Sequence, residues 1–392
     1  MKIVAFVGET FEYYDGYCYT KPTSAAFLQD LVGKDNVYVC SPMKEVTEQP
    51  TTFSTKVAHS HFYPSPAYKS TKDFTLKSIT KAGYLKAFQQ SADKVIAEHP
   101  GAYFWIRTPS MGSIVFGLQA LKAGEKVIHH MCADASNTWR GKKYKGIEKL
   151  LGFLLSRLIR WQLRKICKHE NTINLCTGDV LEDFSRTYSP SNTHQFVDVM
   201  VKQPELINAP SPSNQERLNL LFVGRIVEDK GVFDLLEVVY RLKGKVAATI
   251  VGGGPELESA QRMSSKLGLE NQVRFMGQLK HSELSKLYDA SDVVVVPSNN
   301  HYEGFPRVIM EGWSHHKPVI VSNVGGVKAF VKDGENGLIF TPGSRDELYS
   351  KLENLLSDDA LLNKLTSGAK SMSEISLQNY WLQQLNSILE VR

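Results

Sequence analysis

The sequence predicts an α/β protein made of two doubly wound, Rossmann-like domains, and three observations carry that prediction. Short apolar runs alternate with amphipathic stretches of about 10–15 residues, the spacing of parallel strands joined by crossover helices. The runs form two sets: "KIVAFVG", "NVYVC", "AYFWIR", "KVIHHM" and "TINLCT" in the first half, then "LNLLFVGR", "VAATIVGGG", "QVRFMG", "DVVVVPS", "KPVIVS" and "GLIF". The length of 392 residues exceeds one ordinary core and fits two domains.

The boundary is the stretch "VKQPELINAPSPSNQERLN", where Pro204, Pro210 and Pro212 punctuate a polar segment that cannot hold a helix. It divides a first domain over 1–203 from a linker over 204–217 and a second domain over 218–375, whose first strand is placed at Leu218–Val223. A last helix over 376–392 sets Leu377, Tyr380, Trp381, Leu385, Ile388 and Leu389 at helical spacing.

Hydrophobic content of 42% and charged content of 22% belong to a folded chain rather than a disordered one. The opening "MKIVAFVGET" reads as a first buried strand and lacks the cleavage site of a signal peptide. No stretch reaches the roughly 18 uninterrupted apolar residues of a membrane span, so none is expected. Five scattered cysteines, odd in number and without a C-x-x-C pair, suit a reducing cytosol and argue against structural zinc.

In open α/β sheets ligands bind beyond the carboxyl ends of the strands, so the loops after the second-domain strands come first. After "LNLLFV", Gly224 lets the backbone approach a ligand. Arg225 and Lys230 sit at the strand-to-helix junction, where two cations and free N–H groups suit a diphosphate. The competing reading is two solvated surface cations. After "AATIV", Gly252–Gly254 form a tight turn that does not fit G-x-G-x-x-G, which excludes a dinucleotide fingerprint. After the expected strand Val293–Val296 comes "PSNNHYEGFPRVIMEG". The helix is expected to begin near Arg307, after Pro306 at its first turn. Glu303 then lies at the helix mouth with the amides around Gly304, Phe305 and Pro306, and Glu311 about one turn into the helix. Two glutamates at this spacing arise also by coincidence; the cations upstream favour one shared crevice.

The run "EGFPRVIME" resembles the E-x7-E segment of the retaining GT-B glycosyltransferases, in particular the large family 4, the glycosyl transferases group 1. "FVGRIVEDKG", "IVGGGPELE", "VRFMGQLKHSELSKLYDASDVVVVPS" and "KPVIVSNVGG…VKDGENGLIF" resemble it too, in the family's order, across roughly residues 218–342. The first half resembles it only in strand pattern. The resemblance implies two Rossmann-like domains facing a central cleft, with the final helix crossing back to the first domain. It implies that Glu311 accepts hydrogen bonds from the nucleotide ribose and Glu303 meets the donor sugar. Arg225 and Lys230 would then hold the diphosphate, on a donor surface that includes Gly224, Gly253, Gly304, Phe305 and Pro306. It also implies a nucleotide-diphosphate sugar donor, a UDP-sugar, and a saccharide or lipid-linked acceptor met in the cytoplasm. Because the chain contains no D-x-D, no divalent metal or other cofactor is expected.

The resemblance places a functional His or Asp after "KVIHHMCADAS", which offers His130 and Asp134; a packed structural histidine is the alternative. Gly8 after the first strand and Arg107 in "WIRTPS", at the end of another, are candidates for acceptor or phosphate contact, although "GETFEYYDGY" stands where the family has Gly-Gly. The "HSH" at His59–His61 looks like a metal pair without a third ligand. Two other readings are a nucleotide-sugar epimerase of the same fold and a catalytically silent nucleotide-sugar binder serving as a scaffold at a membrane.

The net charge of +5 hides a basic segment over 140–169. Between Arg140 and Glu170 there are ten Lys/Arg against two Glu, so the remainder is slightly acidic. Within "GIEKLLGFLLSRLIRWQLRKICK", Arg157, Arg160, Arg164 and Lys168 recur on one helical face. Ile147, Leu151, Leu154, Leu158 and Trp161 recur on another. This is the pattern of a helix lying on an anionic membrane surface, here a peripheral one on the cytoplasmic face. The alternative is a core-packed helix with a solvated basic face. Nothing in the chain resembles a nucleic-acid recognition motif.

Overall fold

A computed structural model describes residues 1–21, 24–50, 53–141, 144–203, 217–300 and 302–390. Positions 204–216 of the expected linker lie outside the described residues. The chain divides into two compact units. One comprises Met1–Met200 with Tyr302–Phe305 and Leu382–Arg392; the other comprises Val201–His301 and Pro306–Trp381.

The first unit is built on a seven-stranded parallel sheet. Its order is Thr193–Gln195, Thr172–Cys176, Lys126–Met131, Tyr103–Thr108, Ile3–Phe6, Val37–Ser41 and Phe62–Pro64. The strand Ile3–Phe6 is apolar and buried at every position because crossover helices cover both faces of a parallel sheet. Helices Tyr84–Glu98, Met111–Lys122 and Gly146–Cys167 contribute Phe88, Ile96, Ile114, Phe116, Ile159 and Ile166 to the core on one face.

A second, four-stranded sheet was not anticipated. Its order is Met43–Glu45, Phe11–Tyr14, Tyr17–Thr20 and Thr55–Ala58. The stretch "FEYYDGYCYT", which overlaps the segment standing where the family has Gly-Gly, is a hairpin of this sheet. Asp15 and Gly16 form its two-residue turn with φ of 44° and 76°. Two positive φ values match the strand twist, and Asp-Gly is the dipeptide that supplies them.

The second unit holds a six-stranded parallel sheet in the order Val273–Gly277, Val246–Val251, Leu218–Val223, Val293–Val296, Val319–Ser322 and Gly337–Phe340. All six strands were legible as apolar runs. Val232, Leu235, Leu236 and Val239 of the helix Val232–Arg241 pack on one face, with Leu348, Leu352 and Leu365 from the helices that follow the last strand.

Between the middle strands of the first unit lies a buried polar chain. His129, with no exposed surface, shares hydrogen bonds of 2.9 Å with Thr108 Oγ1 and 3.1 Å with Asn174 Oδ1 on the flanking strands. Burial pushes the His129 imidazole down to about 4 from its ordinary 6.5, against a smaller opposing pull from Asn174. The folded ring therefore stays neutral to about pH 4, while the unfolded chain takes up a proton near 6.5. This contribution is complete above pH 6.5 and is lost as the pH falls toward 4, in total by about 3 kcal/mol. Denaturant unfolding between pH 7 and 4 measures it, and His129→Gln should flatten that dependence by about one proton.

Candidate functional site

In the second unit the strand order reverses between Leu218–Val223 and Val293–Val296, which lie side by side although two other strands separate them in sequence. Such a reversal sends the connections on either side in opposite directions and leaves a crevice at the carboxyl ends of the strands. The loops around it are tied together through their backbones. Ile226 N donates to Gly253 O at 2.9 Å, and Glu256 N donates to Ile226 O at 3.2 Å. Arg225, exposed, is thereby fixed between the loops that follow the first two strands of this unit. Lys230 ends a single turn of 3-10 helix, Glu228–Lys230. Asn299 N donates to Asp229 O at 2.9 Å, joining that turn to the loop after Val293–Val296.

The helix Arg307–Ser314 begins just past Pro306, as the sequence predicts. Glu311, half-buried, lies just over one turn in. Its Oε2 accepts a 2.7 Å hydrogen bond from the hydroxyl of Tyr288, which is 2% exposed. Burial first, and then the Glu311 charge and hydrogen bond, raise the Tyr288 hydroxyl well above its ordinary value, so it remains a proton donor. The Tyr288 ring stacks on His315 at 5.2 Å and 11° between planes, and His315 Nδ1 lies 2.8 Å from Asp289 Oδ1. One Glu311 oxygen is thus held by the fold, and a carboxylate keeps further acceptor sites for a ligand.

Glu303 and Phe305 group with the first unit, whereas Pro306 and Glu311 group with the second. Glu303 forms an isolated antiparallel bridge with Ala133, and Asp134 N donates to Tyr302 O at 2.9 Å. Gly304 explains the glycine of "EGFP": a Cβ there would sit 2.4 Å from Cys132 O and 3.1 Å from Thr177 O. No side chain fits between this segment and the ends of Lys126–Met131 and Thr172–Cys176.

His130 is fully buried, 3.0 Å from Thr177 Oγ1 and packed edge-on against Trp105 and Phe196. Asp134 caps the short helix Ala135–Arg140, accepting from Ser136 N, Ser136 Oγ and Asn137 Nδ2. It also lines a cleft of about 380 Å³ with Asn137, Arg160, Leu163, Val180 and Phe184. Gly8 and Arg107 follow Ile3–Phe6 and end Tyr103–Thr108, the two strands where order reverses in the first unit. The Arg107 guanidinium stands 3.8 Å from Glu9 Oε1 and 4.0 Å from Asp198 Oδ2, and Ser24 Oγ donates to Asp198 at 3.2 Å. His59 and His61 lie against Tyr13 and Tyr38, at 4.9 and 4.6 Å between ring centroids. Among the described residues no group of three His, Cys, Asp or Glu is placed to hold a metal ion. The sequence reading missed Tyr288, Glu9 and Asp198. Tyr288 gives no local signal because its partner lies 23 positions away.

Two substitutions test this construction. Gly304→Ala should lower the unfolding free energy by about 1–3 kcal/mol, because a backbone carbonyl must move to admit the methyl group. Tyr288→Phe should cost about 1.5–3 kcal/mol, the range for a hydrogen bond to a charged group. Denaturant unfolding of each variant measures both.

Residues 204–372 match the family model of the glycosyl transferases group 1. An uncharacterized glycosyltransferase from Methanocaldococcus jannaschii is 30% identical over 188 residues, 47% of each chain. The lipopolysaccharide core biosynthesis glycosyltransferase LpsE of Rhizobium meliloti is 32% identical over 146 residues, 37% of this chain and 42% of that protein. The chain spans about half the length, or less, of these curated relatives. Among solved structures, HepE from Anabaena in complex with UDP aligns over 100% of both chains with a TM-score of 0.66 and 18% identity. Sucrose-phosphate synthase from Thermosynechococcus elongatus aligns over 100% of this chain and 98% of its own, with a TM-score of 0.70 and 16% identity. This chain therefore has the GT-B fold of two Rossmann-like units, and its residues 204–372 resemble the glycosyl transferases group 1.

Proposed function

We propose that the protein is a retaining glycosyltransferase that moves a hexose from a nucleotide-diphosphate sugar, a UDP-sugar, to a saccharide or lipid-linked acceptor in cell-surface polysaccharide or glycolipid synthesis. The observation that carries this reading is the placement of Arg225, Lys230 and Glu311 on the connections that follow the two reversal-point strands, with Glu311 anchored by Tyr288. The choice of UDP follows the Anabaena neighbour, solved with UDP bound. The cell-surface acceptor follows the Rhizobium meliloti relative, named for lipopolysaccharide core biosynthesis.

In this reading the anchored Glu311 carboxylate accepts from the ribose hydroxyls and sets the position of the nucleotide. Glu303 meets hydroxyls of the donor sugar. The bond between C1 and the β-phosphate oxygen breaks with its electron pair going to the phosphate, and Arg225 and Lys230 stabilise the charge that develops there. The acceptor hydroxyl attacks C1 from the face the phosphate leaves, and its proton passes to a phosphate oxygen, so configuration is retained. Asp134 serves the acceptor side, together with Gly8 and Arg107, whereas His130, fully buried against Trp105 and Phe196, fits the packed structural alternative. The cations supply the electrostatic role that a divalent metal fills elsewhere, so transfer proceeds in EDTA.

Thermal unfolding with UDP, GDP, ADP or CMP, each with and without EDTA, tests the donor assignment. A ligand at 100 times its dissociation constant adds about 2.7 kcal/mol. UDP alone should give that shift, and EDTA should leave it in place. Glu311→Ala should weaken UDP binding by about 10- to 100-fold, or roughly 1.4–2.8 kcal/mol. Lys230→Ala should lower kcat by about 10²–10³ while KM changes little. Full activity in both variants would overturn the site, and a protein that binds UDP without transferring sugar would be the silent scaffold.

A further inference from the structure

The helix Gly146–Cys167 turns Ser156, Ile159, Leu163, Ile166 and Cys167 inward. Its opposite face is apolar and bare. Ile147 is 73% exposed, Leu150 57%, Leu151 58%, Leu154 55%, Leu158 43% and Trp161 51%. These six side chains recur at three- and four-residue steps, so they form one continuous stripe over four turns. A helix whose outer face meets only water carries charged or polar residues there. The core-packed alternative raised by the sequence would have buried these leucines; the structure buries the other face.

Cations border the stripe. Arg157, Arg160, Arg164 and Lys168 run along one side, and Lys165 Nζ lies 3.5 Å from the Trp161 ring centroid. Three of the guanidinium groups lie over aromatic rings: Arg157 4.8 Å from Phe153, Arg160 4.9 Å from Phe184 and Arg164 5.2 Å from Tyr188. The rings hold them without neutralising them. The one acid of the helix, Glu148, is 3.0 Å from Lys72 Nζ, which stands on the helix Thr71–Thr80. That helix exposes Leu76 and Ile79, at 55% and 77%, one and two turns beyond Lys72.

We propose that this face docks on an anionic lipid bilayer, with the leucines and Trp161 at the level of the acyl-chain boundary and the cations on head-group phosphates. A second copy of the chain is the other candidate. A two-fold contact of this face with itself would set its unneutralised cations against one another, with no acid on the stripe to compensate. Among the described residues no helix is long and apolar enough to cross a membrane, so the helix lies on the surface. Arg160 and Leu163 of this helix also line the 380 Å³ cleft that holds Asp134. Docking would therefore bring that cleft to the lipid surface. The inference rests on the exposed face alone and goes beyond the transfer reading: either can fail without the other.

The test is co-sedimentation of the full chain with vesicles of phosphatidylcholine alone, or of phosphatidylcholine and phosphatidylglycerol in equal parts. Binding should appear with the mixed vesicles only and weaken as salt is raised. A variant combining Arg157→Gln, Arg164→Gln and Lys168→Gln should partition about two orders of magnitude more weakly. The pair Leu151→Asp and Leu154→Asp should abolish binding while leaving thermal unfolding unchanged, since both positions are exposed in the folded protein. Failure to bind either vesicle, equal binding to both, or binding that neither variant alters would overturn the proposal. So would sedimentation as a dimer that the Leu151→Asp and Leu154→Asp pair dissociates.

Discussion

A parallel sheet can satisfy its backbone only if every connection returns over a face, and that constraint governs this molecule. Each crossover covers the sheet with a helix and must be right-handed, so a chain wound outward from one strand can fill the other side only by reversing its order. The reversal leaves one gap in the covering layer, at the carboxyl ends of two adjacent strands. In the second unit those strands are Leu218–Val223 and Val293–Val296, and the cationic loop, the Asn299–Asp229 hydrogen bond and the helix bearing Glu311 all follow from them. The first unit repeats the device at Ile3–Phe6 and Tyr103–Thr108, with Gly8 and Arg107 at its edge.

Fixing a carboxylate at such a gap has an energetic cost, which the surrounding contacts offset. Tyr288 loses its water to stand beneath Glu311 and is compensated by one charge-assisted hydrogen bond and by the flat stack on His315. Asp289 in turn holds His315, so a short series of polar contacts runs from the helix Arg307–Ser314 to the end of the helix His281–Asp289. Removing a member in the middle leaves the others buried without compensation, which costs more than removing the whole series.

The second unit was legible because its strands are short, fully buried and bounded by glycine or proline, so apolar runs and turn residues gave the same boundaries. The first unit was less so. The hairpin Phe11–Thr20 has its Asp-Gly turn in plain view, but its strands are short and rich in polar and aromatic residues, so no apolar run marks them. Tyr288 was invisible because no periodicity ties it to Glu311. The helix Gly146–Cys167 showed two faces in sequence, yet periodicity does not say which face turns inward. Only the position of Ile159, Leu163 and Ile166 against the sheet decides that.

The polar chain through His129 also fixes the placement of a proton. Asn174 Nδ2 donates to Cys167 O at 3.0 Å, so its oxygen is the atom that faces His129 Nδ1. That ring nitrogen must carry the hydrogen, and Nε2 must accept from the Thr108 hydroxyl. Three adjacent strands are thereby crossed by donors that all point the same way, from Thr108 through His129 and Asn174 to Cys167. Such a row has a sense as well as a register: a slip of the middle strand would part the buried ring from both its partners. The middle of the sheet thus carries, in the orientation of three hydrogens, a specification of strand alignment that apolar packing alone does not provide.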